Sequence, residues 1–238
     1  MELKIMSYNT QHCLNFITRE IDFDIIADTI QQCGADMIGL QEIRDKGQDA
    51  EYQAQTKILA EKLGYPYYYF AEAIRFGGEN PYGNALISRY PIIFAETILI
   101  PDPEVKKSDG YYETRCVLKA AIDVGNGLTV LVSHFGLNPD EQENAVETVV
   151  SNMPKEHCVL MGDFNMEPDN PILNPIMHSL HDTAKDFSAP KLSFPSDIPS
   201  VKIDYIFVSK DLTVRCADIP AIISSDHRPH VATIEVES

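Results

Sequence analysis

A carboxylate and an amide two residues apart close a short apolar run: His157-Cys158-Val159-Leu160-Met161 leads into Gly162-Asp163-Phe164-Asn165. Alternate residues of a strand share a face, so Asp163 and Asn165 are expected to point the same way at its end. Pro168 and Pro171 stop the extended chain soon afterwards. Such a pair can orient water, meet a metal ion or hold a phosphate oxygen. It equally fits a polar turn, because Asp and Asn are common turn residues. The rest of the chain has to decide between the two.

Other strand-like runs end in polar residues: Asn9, Glu42, His134, Asp204 and the pair Asp226-His227. Each has a bland reading. Asn9 and Glu42 fit ordinary strand ends, and a lone histidine such as His134 is more often structural. Asp204, set between Ile203 and Tyr205, is less ordinary, since a buried carboxylate needs a partner. Ser225-Asp226-His227-Arg228-Pro229-His230 is dense in ionisable groups just before the last strand.

Together these groups make a coherent inventory. Hard divalent ions such as Mg²⁺, with Mn²⁺ as a substitute, take oxygen ligands. Glu42 and Asp226, with Asn9 as a neutral oxygen ligand, suit one. Asp163 could orient or deprotonate water, and Asn165 could donate to a phosphate oxygen. His227, oriented by Asp204, and His134 could supply protons or stabilise developing charge. Arg115 heads an alternating strand and reads as a surface charge or a phosphate contact. No Cys-His ligand pairs occur, which disfavours tetrahedral zinc.

Composition narrows the partners. The 238 residues carry a net charge of −17 and only 19 Lys and Arg, with no basic run. A field of that sign repels nucleic-acid backbones, so DNA and RNA are disfavoured as partners. The five cysteines are scattered without a C-x-x-C, which fits reduced thiols in a cytoplasmic protein. No run reaches transmembrane length, and no signal peptide is visible. The sequence is silent on oligomeric state.

Positioning these residues requires many strands. Strands are expected at 3–8, 37–40, 65–71, 84–88, 92–100, 114–124 and 128–133, the last two joined by a turn at Gly125-Asn126-Gly127. Ile203–Val208 and Leu212–Cys216 read as a further hairpin, and Val231–Val236 as the final strand. Apolar periodicity predicts helices over 21–33, 52–63 and 138–152, with a short one near 172–178. The stretches 75–82 and 101–112 read as loops rich in Tyr, Gly and Lys that shape a substrate pocket. No composition shift marks a boundary, so residues 1–238 are expected to form one domain with sheets inside and helices outside.

The ordered set Tyr8-Asn9, Leu40-Gln41-Glu42, Ser133-His134, Gly162-Asp163-Phe164-Asn165, Ile203-Asp204-Tyr205-Ile206-Phe207 and Ser225-Asp226-His227-Arg228-Pro229 resembles the endonuclease/exonuclease/phosphatase superfamily. Gly83-Asn84-Ala85-Leu86-Ile87-Ser88-Arg89-Tyr90-Pro91 and Thr114-Arg115 resemble further segments of it. The resemblance implies a DNase I-like four-layer α/β sandwich with two packed mixed sheets, and divalent-metal-dependent cleavage of phosphoester bonds. It implies a metal at Glu42 with Asn9 and Asp226 close by, water and phosphate at Asp163 and Asn165, an Asp204–His227 pair, and His134 as a second active-site histidine. Arg75, Tyr82, Asn84 and Arg115 are the expected substrate contacts. Ser133-His134 is similar to the histidine-bearing branches, such as sphingomyelinases and other phosphodiesterases, rather than to apurinic endonucleases. Together with the charge, this favours a small or lipid-like phosphodiester or phosphomonoester. A nuclease is the second expectation, and a phospho-ligand-binding module without catalysis a distant third.

Overall fold

The computed structural model describes residues 1–237. The first half of the chain forms β1 (Glu2–Asn9), α1 (Phe23–Cys33), β2 (Met37–Arg44), α2 (Gln55–Leu63), β3 (Tyr67–Phe76), β4 (Asn80–Ser88) and β5 (Ile92–Leu99). The second half forms β6 (Cys116–Ile122), β7 (Leu128–His134), α3 (Pro139–Asn152), β8 (Cys158–Asp163), α4 (Asn174–Ser179), β9 (Leu180–Asp182), β10 (Asp204–Ser209), β11 (Thr213–Asp218) and β12 (His230–Glu235).

Two mixed six-stranded sheets result, in the orders β11-β12-β1-β2-β4-β3 and β5-β6-β7-β8-β10-β9. Leu3, Ile5, Val130, Val159 and Ile206 belong to the core between them. Ile26, Ile30 and Leu59 of α1 and α2 pack on Met6, Tyr8 and Ile38 outside the first sheet. Val146 and Val149 of α3 pack on Leu131, Leu160 and Phe207 outside the second. This is the expected DNase I-like α/β fold in four layers.

Each sheet has one parallel pair, β1 with β2 and β7 with β8. These pairs set the site. Asn9, His134 and Asp163 are the last residues of their strands, and Asp204, the first residue of antiparallel β10, lies opposite Asp163. On the first sheet, β12 runs antiparallel to β1, so the 226–227 segment ahead of it returns to the same end.

Several local expectations are corrected. Residues 203–208 and 212–216 do not form a hairpin: β10 pairs with β8 and β9, whereas β11 pairs with β12 in the other sheet. All six residues of β10 are buried, as an interior strand requires, and the chain crosses between sheets after Ser209. The stretch 75–82 is a hairpin rather than a loop. β3 and β4 run into it, and the turn is confined to 77–79, where Gly77 and Gly78 take the left-handed backbone it needs. α1 begins at Phe23 because Asp22 caps it, accepting from the N–H groups of Asp24 (3.0 Å) and Ile25 (3.1 Å). β9 was not expected.

Glycine at 162 has a specific cause. A Cβ there would stand 1.9 Å from the Ser133 carbonyl oxygen on β7. Gly162→Ala is therefore expected to force β8 off its neighbour and destabilise the protein by about 1–3 kcal/mol. Urea unfolding followed by circular dichroism measures this; wild-type stability in the variant would contradict it.

Candidate active site

The site is centred on Asp163, which is 1% exposed. Its Oδ2 accepts from Asn9 Nδ2 at 3.0 Å, and its Oδ1 from the Asn165 backbone N–H at 3.0 Å. Two imidazole nitrogens, His134 Nε2 and His227 Nε2, each lie 3.5 Å from Oδ2. Asn165 has a left-handed backbone, φ 50°, and its Nδ2 donates to the Phe135 carbonyl at 3.0 Å. That bond ties the turn after β8 to the residue after β7.

Behind His227 stands Asp204, whose Oδ2 is 2.9 Å from Nδ1. The Phe194 ring covers the imidazole at 4.7 Å. The other Asp204 oxygen, Oδ1, is buried without a hydrogen-bond partner among the described residues. Burial alone would pull the His227 imidazolium down, but the Asp204 and Asp163 carboxylates outweigh it and hold the ring protonated well above the ordinary histidine range. Burial pushes the Asp163 carboxyl up, against the pull of the neighbouring imidazolium. His134 goes the opposite way from His227: burial, then the positive Arg115 and His227, keep it neutral.

Glu42 sits in a β-bulge between Leu40 and Ile43, with φ 58°, an arrangement that turns a side chain out of the strand's regular alternation. Its Oε1 accepts from the same Asn9 Nδ2 at 3.0 Å. Asn9 thus bridges Glu42 and Asp163 through its nitrogen, while its Oδ1 accepts from the Gln11 N–H at 3.1 Å. Asn9 holds two carboxylates together here instead of offering a free oxygen. Asp226 accepts from Ser225 Oγ at 3.0 Å, and burial followed by the charge of Glu42 pushes its carboxyl up. Two acids offering only oxygen donors, with the Glu42 charge adding to the cost of ionising Asp226, suit a hard divalent cation.

A second group, Asp163, Asp204 and His227, brings its ligand atoms within 4.8 Å of one another. Its imidazole Nδ1 is already bonded to the Asp204 carboxylate, which takes lone pairs of the group away from an ion. Glu42 and Asp226 are the better pair for an ion.

The expected substrate contacts divide. The Arg115 guanidinium meets His134 Nδ1 at 2.9 Å and Glu113 Oε1 at 2.8 Å, so it faces the site's interior. Asn84 bridges the sheets, its Nδ2 donating to the Cys116 carbonyl at 3.0 Å. Tyr82 reaches the site: burial, then the Glu42 and Glu113 carboxylates, push its phenol well above its ordinary value. Arg75 is not brought in; it is exposed near the hairpin turn and paired with Glu72 at 2.7 Å. Glu113 and Phe194 were missed in the sequence. Glu113 had a signal, lying two residues before Arg115 at the head of an extended run, where the two side chains share a face.

Residues 6–227 match the profile of the Endonuclease/Exonuclease/phosphatase family. The chain belongs to that family. No curated protein matches the sequence. Among solved family structures, one from Beutenbergia cavernae DSM 12333 superposes with a TM-score of 0.81 at 20% identity, over 100% of this chain and 72% of that one. The mannosyl-6-phosphatase of Bacteroides thetaiotaomicron VPI-5482 gives 0.73 at 18%, over 98% and 99%. ANGEL2, a 2′,3′-cyclic phosphatase solved with adenosine-2′,3′-vanadate, gives 0.74 at 17%, over 100% and 96%. At these identities the likeness concerns the fold. The candidate site draws on both sheets. No helix among the described residues is long and apolar enough to cross a membrane.

The clamp on His227 can be tested alone. Asp204→Asn is expected to lower the His227 pKa by about 1–3 units, because an opposite charge in contact is removed. Histidine-selective NMR titration measures it, and an unchanged titration would contradict the assignment.

Proposed function

We propose that this chain is a divalent-metal-dependent phosphoesterase that hydrolyses its substrate by in-line attack of water on phosphorus. The substrate is a small-molecule or lipid-like phosphodiester or phosphomonoester. The observation that carries this is one buried carboxylate, Asp163, met by amides from Asn9 and Asn165 and by two imidazoles in opposite protonation states.

Asp163, pushed towards neutral pH by burial, is suited to take a proton from water. His227, kept cationic by Asp204, is suited to stabilise negative charge growing on the phosphoryl oxygens. His134 supplies a neutral N–H donor beside them. Glu42 and Asp226 would hold Mg²⁺ or Mn²⁺, with Asn9 fixing Glu42 relative to Asp163. Once bound, the ion would neutralise charge on a phosphoryl oxygen.

The mannosyl-6-phosphatase and the 2′,3′-cyclic phosphatase that share this fold support phosphoester chemistry. The net charge of −17 disfavours long polyanions and so ranks a nuclease second.

A panel of sugar phosphates, cyclic nucleotides, phospholipid headgroup diesters and plasmid DNA, assayed with Mg²⁺, Mn²⁺ or EDTA, tests the reading. Metal-dependent turnover of the small esters is expected. Plasmid nicking that persists at about 150 mM salt would favour the nuclease instead. No turnover of any ester would sink both readings.

Two further outcomes are expected. Activity should rise with pH as Asp163 loses its proton and fall again in the alkaline range as His227 loses its own, giving a bell. A profile that stays flat across both limbs would remove these two groups from the reaction. Mg²⁺ at 100 times its Kd should stabilise the fold by about 2.7 kcal/mol. Thermal unfolding should show that gain lost in Glu42→Gln; a gain retained there would move the ion elsewhere.

A further inference from the structure

We propose that Gln55 is a positioning residue that holds the Glu42 carboxylate in place for a divalent ion, by tying the strained turn after β1 to the strained bulge of β2. Gln55 opens α2 and is fully buried. Its Oε1 accepts from the Arg44 backbone N–H at 2.9 Å, and its Nε2 donates to the His12 carbonyl at 2.8 Å. Both partners are backbone groups with a single role each: an N–H only donates and a carbonyl only accepts. The orientation of the amide is therefore fixed by its neighbours.

The bridge stands where the sheet stops supplying partners. β1 pairs with β2 only as far as Asn9 opposite Gln41, and the Thr10 N–H donates to the Gln41 carbonyl at 3.2 Å just beyond. β2 runs on to Arg44 without β1 beside it. The chain leaving β1 instead turns through Gln11, His12 and Cys13, with φ of 45°, 49° and 63°. The Gln55 amide joins the two segments as one more peptide group would, accepting from one and donating to the other.

Glu42 needs that support. Its φ is 58°, and the ladder between β2 and β4 shifts register across it. A non-glycine residue keeps such a backbone only where its surroundings over-determine it. Asn9 Nδ2 holds the Glu42 side chain at 3.0 Å, and Gln55 holds the backbone two residues further on. Asn9 is itself placed by the Gln11 N–H, which donates to its Oδ1 at 3.1 Å, one residue before the His12 carbonyl. The bonds thus close a ring through Glu42, Asn9, Gln11, His12, Gln55 and Arg44. The role rests on the reading of Glu42 as a ligand of Mg²⁺ or Mn²⁺. Gln55 acts through Glu42, since backbone groups engage both ends of its amide.

The test uses the whole chain and two variants. Gln55→Met keeps the length of the side chain and removes both bonds. Gln55→Glu keeps the acceptor for Arg44 and sets a carboxylate oxygen against the His12 carbonyl. Mn²⁺ binding is followed by the electron paramagnetic resonance of the free ion, at a temperature where circular dichroism shows each variant folded. Gln55→Met is expected to raise the Mn²⁺ Kd about 10–100-fold, and Gln55→Glu to fall between it and the wild type. Activity lost at low Mn²⁺ should largely return when the ion is raised by the same factor. A crystal structure of metal-free Gln55→Met should show Glu42 out of its positive φ or parted from Asn9.

A role in stability alone would lower the thermal midpoint and leave the Kd unchanged in the folded variants; that result overturns the proposal. So does a Gln55→Met structure with Glu42 still at positive φ and bonded to Asn9. If Gln55→Met does not fold, Gln55→Glu supports the same three readouts. A wild type that binds no Mn²⁺, or turns over no ester, would sink the functional reading, whereas the variant structures would still report whether Gln55 holds Glu42.

Discussion

A carboxylate taken out of water is costly unless every neighbour compensates, and Asp163 finds its neighbours only where two sheets meet. Asn9 comes from the first sheet, Asn165 and His134 from the second, and His227 from the segment leading back into the first. Neither sheet alone supplies the set. The sheets must therefore pack closely, and the sequence allows it: a Cβ on Gly39 of β2 would stand 2.6 Å from the Met161 sulfur on β8. The parallel pair in each sheet then brings the carboxyl ends of four central strands to one end of the sandwich.

Polarity within the cluster follows from unequal surroundings. Two histidines within reach of one carboxylate are driven apart, one cationic between carboxylates and one neutral beside a guanidinium. Groups separated in this way can take different parts in one reaction. Backbone strain gathers at the same end. Of the seven non-glycine residues with positive φ among the described residues, Gln11, His12, Cys13, Glu42 and Asn165 lie at or near the strand ends that form the site. Such strain persists where surrounding structure enforces it, as the Asn9 and Phe135 bonds do here.

Much of the site was legible in the chain because strand ends announce themselves locally. An apolar run that stops at Asp163, or an acid inside Ile203-Asp204-Tyr205, is visible within six residues. The partnership of Asp204 with His227 was also readable through the family resemblance. Which sheet a strand joins was not. β10 and β11 look like a hairpin because nothing local distinguishes a turn from a crossing; the distinction lies in pairing with β8, more than forty residues earlier. Arg115 read as a surface charge or a phosphate contact; that its guanidinium lies inside, against a histidine nitrogen placed by another strand, was not legible. Asn9 was recognised, yet its amide nitrogen rather than its oxygen faces the acids.

In the proposed reaction Asp163 handles the water that attacks phosphorus. Hydrolysis of the best ester from an activity screen, run in ¹⁸O-water with wild type and Asp163→Asn, tests it most directly. One solvent oxygen is expected in the phosphoryl product of the wild type, and a rate at least about 10²-fold lower in the variant. Asp163→Asn turning over at the wild-type rate, or a product phosphoryl group without solvent oxygen, would contradict it.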